Sequence, residues 1–169
     1  MKLKSDAIIK TNRMLLREIN ETDADAIVSL RSNEEVYKYF CNPKKITVEE
    51  HKKWYRDSYC TDDSRIDWIA VDDKMGDVIG IYGLKKVSNE VAEVSYITNP
   101  CYYGKGFATE AVSSLIKWCK DNWRMKRMIA VVHEANNPSI AFAHSLGFRK
   151  SSSDYSQDGF YIMEISLVG

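Results

Sequence analysis

The segment from Val91 to Ala111 restricts the fold more than any other part of the chain. It reads Val-Ala-Glu-Val-Ser-Tyr-Ile-Thr-Asn-Pro-Cys-Tyr-Tyr-Gly-Lys-Gly-Phe-Ala-Thr-Glu-Ala. An apolar strand pattern stops at Pro100, a turn bounded by Gly104 and Gly106 follows, and helix-forming residues resume at once. A strand that feeds a helix through such a turn aims the first backbone N–H groups of the helix, and its dipole, at one point. The two glycines let a ligand approach the backbone, Lys105 adds positive charge, and Thr109 adds a hydroxyl on the first helical turn. The pattern predicts a turn that binds an anion such as a phosphate group.

The flanking sequence predicts how this unit is held. Arg13-Met-Leu-Leu-Arg-Glu-Ile19 reads as a strand, and Asn20-Glu-Thr-Asp23 as a turn and helix cap leading into Asp23–Leu30. Ser32–Phe40 reads as a short helix, ended by Asn42-Pro43. Thr47-Val-Glu-Glu50 is a capping-box pattern that opens a helix running to about Tyr59. The period then drops to two. Arg65–Val71 and Asp77–Gly83 form a hairpin around Asp72–Gly76, and Val91–Thr98 adds a third antiparallel strand. After Gly106, Ala108, Ala111, Val112, Leu115, Ile116 and Cys119 recur at helical steps. Met128–His133 is a nearly continuous apolar run, expected of a strand covered on both faces. Pro138 starts a helix that stops at Gly147, and Phe148–Ser152 with Phe160–Leu167 forms a last hairpin. The order predicts an α/β (α+β) three-layer sandwich, with a mixed, mostly antiparallel sheet of about 6–7 strands flanked by helices.

Composition narrows the partners. At 169 residues the chain reads as one domain over 1–169, able to bury a core without staples. Lys plus Arg and Asp plus Glu both number 24, so the basic excess of a nucleic-acid binder is absent. Cys41, Cys60, Cys101 and Cys119 form no C-x-x-C pair and no zinc-ligand cluster, so free thiols and no metal are expected. The first residues lack the apolar core of a signal peptide and no run of about 18 apolar residues occurs, which predicts a cytoplasmic protein with no membrane partner.

Two phosphate-binding patterns fail on the turn. A G-x-x-x-x-G-K-S/T loop is not met by Gly104-Lys105-Gly106, and a G-x-G-x-x-G fingerprint finds Thr109 where its last glycine belongs. The turn instead resembles the acyl-CoA-binding motif of the GNAT N-acetyltransferase superfamily, Q/R-x-x-G-x-G/A, spelled here Cys101-Tyr-Tyr-Gly104-Lys-Gly106. The block Asn136-Asn-Pro-Ser139-Ile-Ala-Phe-Ala-His-Ser-Leu-Gly-Phe148 is similar to the superfamily's second signature. One departure stands out: Cys101 replaces the usual Gln or Arg, so the backbone must form the cradle without that side chain.

The resemblance implies acetyl-CoA as co-substrate and an N-acetyltransferase that works by direct attack in a ternary complex. It carries the cofactor contacts to Ile97, Thr98 and Asn99 at the strand end, to Tyr103, Gly104, Lys105, Gly106, Phe107, Ala108 and Thr109, and to Asn136 and Ser139. Asn136 and Ser139 equally suit a plain helix cap. An alkyl amine with a pKa near ~10 must lose a proton before or during attack, and Glu93 on the strand leading into the turn is the candidate base. The Tyr that protonates the leaving thiolate in many relatives is Ala143 here, which leaves Ser139, Tyr102 or water. Tyr39, Phe40, Trp54 and His133 are expected to line the acceptor site, whereas His51 and His144 are expected to be solvated. Residues 30–54 resemble the acceptor side of enzymes that acetylate amino sugars. A small amine or amino sugar is therefore the expected acceptor, with a protein N-terminus such as that of a ribosomal protein second, and a non-catalytic acyl-CoA sensor as a reading of another class. A monomer or a homodimer formed through the C-terminal hairpin is compatible with the pattern.

Overall fold

The computed structural model describes residues 7–152 and 158–169. The strands are β1 (Ile9–Lys10), β2 (Met14–Glu18), β3 (Arg65–Asp72), β4 (Val78–Lys86), β5 (Val91–Thr98), β6 (Arg127–His133), β7 (Arg149–Lys150) and β8 (Phe160–Ser166). They form one sheet in the order β1-β2-β3-β4-β5-β6-β8-β7, antiparallel throughout except where β5 and β6 run parallel. The α-helices are α1 (Ala24–Arg31), α2 (Glu34–Tyr37), α3 (Val48–Asp57), α4 (Phe107–Trp118) and α5 (Asn137–Ser145). The mixed sheet flanked by helices is the architecture the sequence predicts. The strand count is eight rather than six or seven, because β1 is two residues long and too short to leave a period.

The sheet has two working faces, set by alternation along the meander. Trp68, Tyr82 and Tyr96 align in one row across β3, β4 and β5, and Ile66, Leu84 and Val94 in the next. These rows belong to the main core, with Phe107, Val112 and Leu115 of α4 and Ala143 of α5. The opposite face carries Arg65, Lys85 and Glu93 in one row, Asp67, Gly83 and Ser95 in the next, and Ile69, Ile81 and Ile97 in the third. Ile69 there packs with Ile19, Ile27 and Tyr59 in a smaller core, flanked by Trp54 and Ile81, beneath α1 and α3.

Local signals account for most element ends. Asn20 and Asp23 form a capping box ahead of α1, and Thr47 and Glu50 form the box that opens α3. In the latter, Thr47 Oγ1 accepts from Glu50 N at 3.1 Å and Glu50 Oε2 accepts from Thr47 N at 3.0 Å. Thr47→Ala removes one of these bonds and is expected to lower stability by about 1 kcal/mol, read as a lower melting temperature. Asp72 closes the β3–β4 hairpin, its carboxylate accepting from Lys74 N and Met75 N, both at 2.8 Å. At the end of α5, Phe148 N donates to Ala143 O and Gly147 N to His144 O, with Gly147 at φ +97°. That is the double bond of a helix stop requiring a left-handed residue.

Three expectations are corrected. The helix expected over Ser32–Phe40 is the single turn of α2, capped by Asn33, after which the chain bends. Strand β6 is more fully buried on one face than the other: Met128, Ala130 and Val132 are covered while Val131 is 38% exposed, so it alternates where a continuous apolar run suggested cover on both sides. His51 is buried, not solvated, since its face of α3 closes against the sheet. Strand β8 pairs with β6 along its whole length and with β7 only at Met163 and Glu164.

Candidate active site

The parallel pair β5–β6 forks. Its register runs only through Val91–Arg127, Ala92–Met128 and Glu93–Ile129, although β5 continues to Thr98 and β6 to His133. Beyond Glu93, the edge of β5 that faces β6 has no strand partner. Its backbone amides and carbonyls are therefore available to a ligand that lies in the fork. A cavity of about 1000 Å³ occupies this opening and extends to both faces of the sheet.

The turn at the end of β5 delivers the helix terminus that the sequence predicts. Gly104 and Gly106 adopt φ of +73° and +82°, a region that side-chain-bearing residues seldom enter. Gly106 is the N-cap of α4 and no side chain caps the helix, so its first N–H groups stay open. Arg13, immediately before β2, anchors the turn. It donates to Lys105 O at 3.0 Å, pairs with Glu110 at 2.9 Å, and stacks its guanidinium 3.9 Å over the Phe107 ring. Of the residues assigned to the cofactor, Ile97, Thr98, Tyr103, Gly104, Gly106, Phe107, Ala108, Thr109, Asn136 and Ser139 all line the cavity. Asn99 and Lys105 lie outside its lining. Asn99 closes the turn, accepting from Cys101 N at 3.1 Å, and the exposed Lys105 places its ammonium 5.6 Å from the Tyr102 ring.

Beside this terminus, α5 carries the second signature. Asn136 caps the helix, its Oδ1 accepting from Ser139 N at 3.2 Å. Ser139 Oγ lies 2.7 Å from the Tyr96 hydroxyl, a hydrogen bond that spans the fork from α5 to β5. Burial raises the Tyr96 pKa and the Ser139 hydroxyl partly offsets it, so the phenol keeps its proton at neutral pH. Tyr96 was missed from sequence, where it is only one apolar position of an alternating strand. Thr98 is similarly turned inward, its Oγ1 2.7 Å from the hydroxyl of Tyr82, whose pKa burial pushes up to about 12.

The opposite face of β5 builds a different chamber. Glu93 lies at the fork point and lines the cavity. Burial raises its carboxyl pKa, with Lys85 and Arg65 opposing the shift. Tyr39, Phe40, Trp54 and His133, all assigned to the acceptor, line the same cavity. The His133 ring stands 5.3 Å from that of Tyr39 and 5.0 Å from that of Phe160, and its Nδ1 accepts from Ala135 N at 3.0 Å. The chamber's inner wall was not foreseen. It holds Arg31, His51, Arg65 and Asp67, drawn from α1, α3 and β3. Asp67 is 4% exposed, accepts from Arg65 and fits beside Gly83, where a Cβ would stand 2.3 Å from its Oδ1.

Among the described residues, no group of three or more His, Cys, Asp or Glu side chains is arranged to hold a metal ion, and no helix is long and apolar enough to cross a membrane. The site thus joins a positive helix terminus, an open strand edge and a carboxylate at the point where two parallel strands separate. Known proteins are similar to the chain in sequence and in fold. A protein of Methanocaldococcus jannaschii is 26% identical over 92% of the chain, which spans 32% of that protein's own length. An N-acetyltransferase of Bacillus licheniformis named p20 is 29% identical over 83% of the chain and 81% of its own. The spermidine N-acetyltransferase of Vibrio cholerae, solved in complex with CoA and spermine, superposes with a TM-score of 0.80 at 18% identity, covering 92% of this chain and 96% of that one. The family profile of the acetyltransferase (GNAT) domain matches residues 13–149, from the arginine that anchors the turn to the strand after the helix stop, and the chain therefore belongs to the GNAT acetyltransferase family.

Proposed function

We propose that the chain transfers the acetyl group of acetyl-CoA to the primary amine of a small molecule, by direct attack within a ternary complex. The observation that carries this reading is the continuity of one cavity from the uncapped start of α4, along the free edge of β5, to Glu93. The α4 terminus and the Gly104–Gly106 turn suit the pyrophosphate of acetyl-CoA. The open edge at Ile97 and Thr98 suits the amides of its pantetheine arm, with Asn136 and Ser139 on the other side. The Vibrio cholerae relative, which holds CoA together with an amine, supports the pairing of these two ligands.

The thioester then lies in the fork between the two faces of the sheet. The acceptor nitrogen forms its bond to the acetyl carbon while its proton passes to Glu93, directly or through one water. Backbone N–H groups of the strand edge stabilise the charge that develops on the carbonyl oxygen. The C–S bond breaks and the electron pair leaves on sulfur, which takes a proton from the Ser139 hydroxyl. Tyr96, already hydrogen-bonded to Ser139, returns that proton and is itself reprotonated from solvent, to which Glu93 releases the proton of the amine, so that neither hydroxyl is left ionised. This pair serves in place of a phenol at position 143, where the chain has alanine.

A screen of primary amines against acetyl-CoA, following thiol release and the mass of the product, tests the proposal. The expected result is thiol release matched one-to-one by an N-acetylated amine, with initial-rate lines that intersect as a ternary complex requires. Binding of acetyl-CoA without release by any amine or peptide N-terminus would replace the enzyme with a sensor.

A further inference from the structure

The inner wall of the acceptor chamber carries a positive charge that the fold leaves unmatched. Arg31 ends α1 and lines the cavity, and its buried Nε has no hydrogen-bond partner. Its guanidinium makes no hydrogen bond and no ion pair among the described residues; it lies 5.6 Å from the Phe40 ring and feels Arg65 and Asp67 only as more distant charges of opposite sign. His51 on α3 is only 3% exposed, and neither of its ring nitrogens has a partner. Burial and the nearby Arg31 both hold the His51 imidazole toward its neutral form, in which it keeps one N–H to donate. The neighbouring cations are paired. Arg65 binds Asp67 through Nε at 3.1 Å and through a second nitrogen at 2.9 Å, and at the rim Lys38 pairs with Glu35 at 3.2 Å.

Buried polar groups in a folded protein are nearly always hydrogen-bonded, and two neighbouring exceptions facing one cavity point to a ligand. A guanidinium is planar and always charged, and its fork of N–H groups matches the two oxygens of a carboxylate or a phosphate. Glu93 stands on the same chamber, on the row shared with Arg65. The wall therefore offers an acceptor one negative group for its amine and one positive group for an anion. A polyamine would set a second ammonium against Arg31, which like-charge repulsion opposes.

We infer that Arg31, with His51 beside it, is an anion subsite, and that the acceptor is a small amine that also carries a carboxylate or a phosphate. The inference rests on the acetyl transfer proposed above. Matched pairs test it: β-alanine against propylamine, phosphoethanolamine against ethanolamine, and glucosamine 6-phosphate against glucosamine, with spermidine alongside. The anionic member of at least one pair is expected to show kcat/KM about tenfold or more higher, as a charged hydrogen-bonded contact supplies. Which pair shows the larger ratio tells carboxylate from phosphate. Arg31→Gln should bring that ratio to about one, and Arg31→Lys should restore part of it. Neutral amines or spermidine acetylated as well as the anionic members, or a ratio that survives in Arg31→Gln, would overturn the inference while leaving acetyl transfer intact. If no amine is acetylated, the transfer reading fails alone, and titration of the same anionic amines into the CoA-bound protein decides the subsite. Binding weakened about tenfold by Arg31→Gln supports it; equal or absent binding overturns it.

Discussion

Glu93→Gln is expected to lower kcat by roughly a hundred- to a thousandfold, the range in which a positioned general base contributes, while acetyl-CoA still binds. The amide keeps the size and hydrogen-bonding reach of the carboxylate but cannot take the proton of the attacking amine. The pH dependence sharpens the test. Burial raises the pKa of Glu93 above the ordinary glutamate value of 4.5, and Lys85 and Arg65 only partly oppose it. The acid limb of kcat/KM in the wild type is therefore expected to have its midpoint above that value, and the limb should vanish in the variant. Stability should move the other way. A carboxyl whose folded pKa is raised contributes most below its unfolded pKa, and that contribution is lost as pH rises through the folded pKa. At neutral pH the wild type thus carries an ionised, partly desolvated group that glutamine does not. The variant should melt at or above the wild-type temperature at pH 7, with the gap closing as pH falls toward the Glu93 titration. Full turnover in the variant would remove Glu93 as the base.

Gly104→Ala and Gly76→Ala form a second test, with an internal control. Both glycines have φ of +73°, and a Cβ built on either meets nothing within 4 Å. The backbone strain of the substitution is therefore the same, on the order of 1–2 kcal/mol for an L residue in this region. Gly76 lies in the β3–β4 turn outside the cavity lining, whereas Gly104 lines it beside the start of α4. Equal losses of melting temperature are expected. Only Gly104→Ala should raise KM for acetyl-CoA, by about tenfold or more, because loss of one charged hydrogen bond to the pyrophosphate is worth that much. Gly104→Val should do so further. An unchanged KM in both variants would move the pyrophosphate away from this turn.

The glycine turn, the uncapped start of α4 and the cap of α5 were legible in the sequence because their determinants are local. Pro100, Gly104 and Gly106 act on their own backbone, and Asn136, Pro138 and Gly147 bound α5 by capping chemistry within a few residues. The same locality places Asn99 in the turn, where its side chain accepts from Cys101 N. The acceptor half was legible only in part. Tyr39, Phe40, Trp54 and His133 were picked as aromatic or polar residues near the right elements, and all four reach the cavity. His51 was misjudged because a histidine in an amphipathic helix gives no sign of which face will close over it.

The order of most strands and helices and the glycine turn before α4 are thus properties of the chain read residue by residue, since they follow from periods and caps spanning fewer than about twenty positions, whereas the family was read from the resemblance of two motifs. Tertiary structure alone decided three things: that β5 and β6 separate after Glu93, that Ser139 meets Tyr96 across that gap, and that Arg31 and His51 come together over the Asp67 row. Each joins elements that are distant in the chain, from Arg31 on α1 to Ser139 on α5. Contacts of that kind depend on how the sheet's two faces are filled, and no local pattern carries that information.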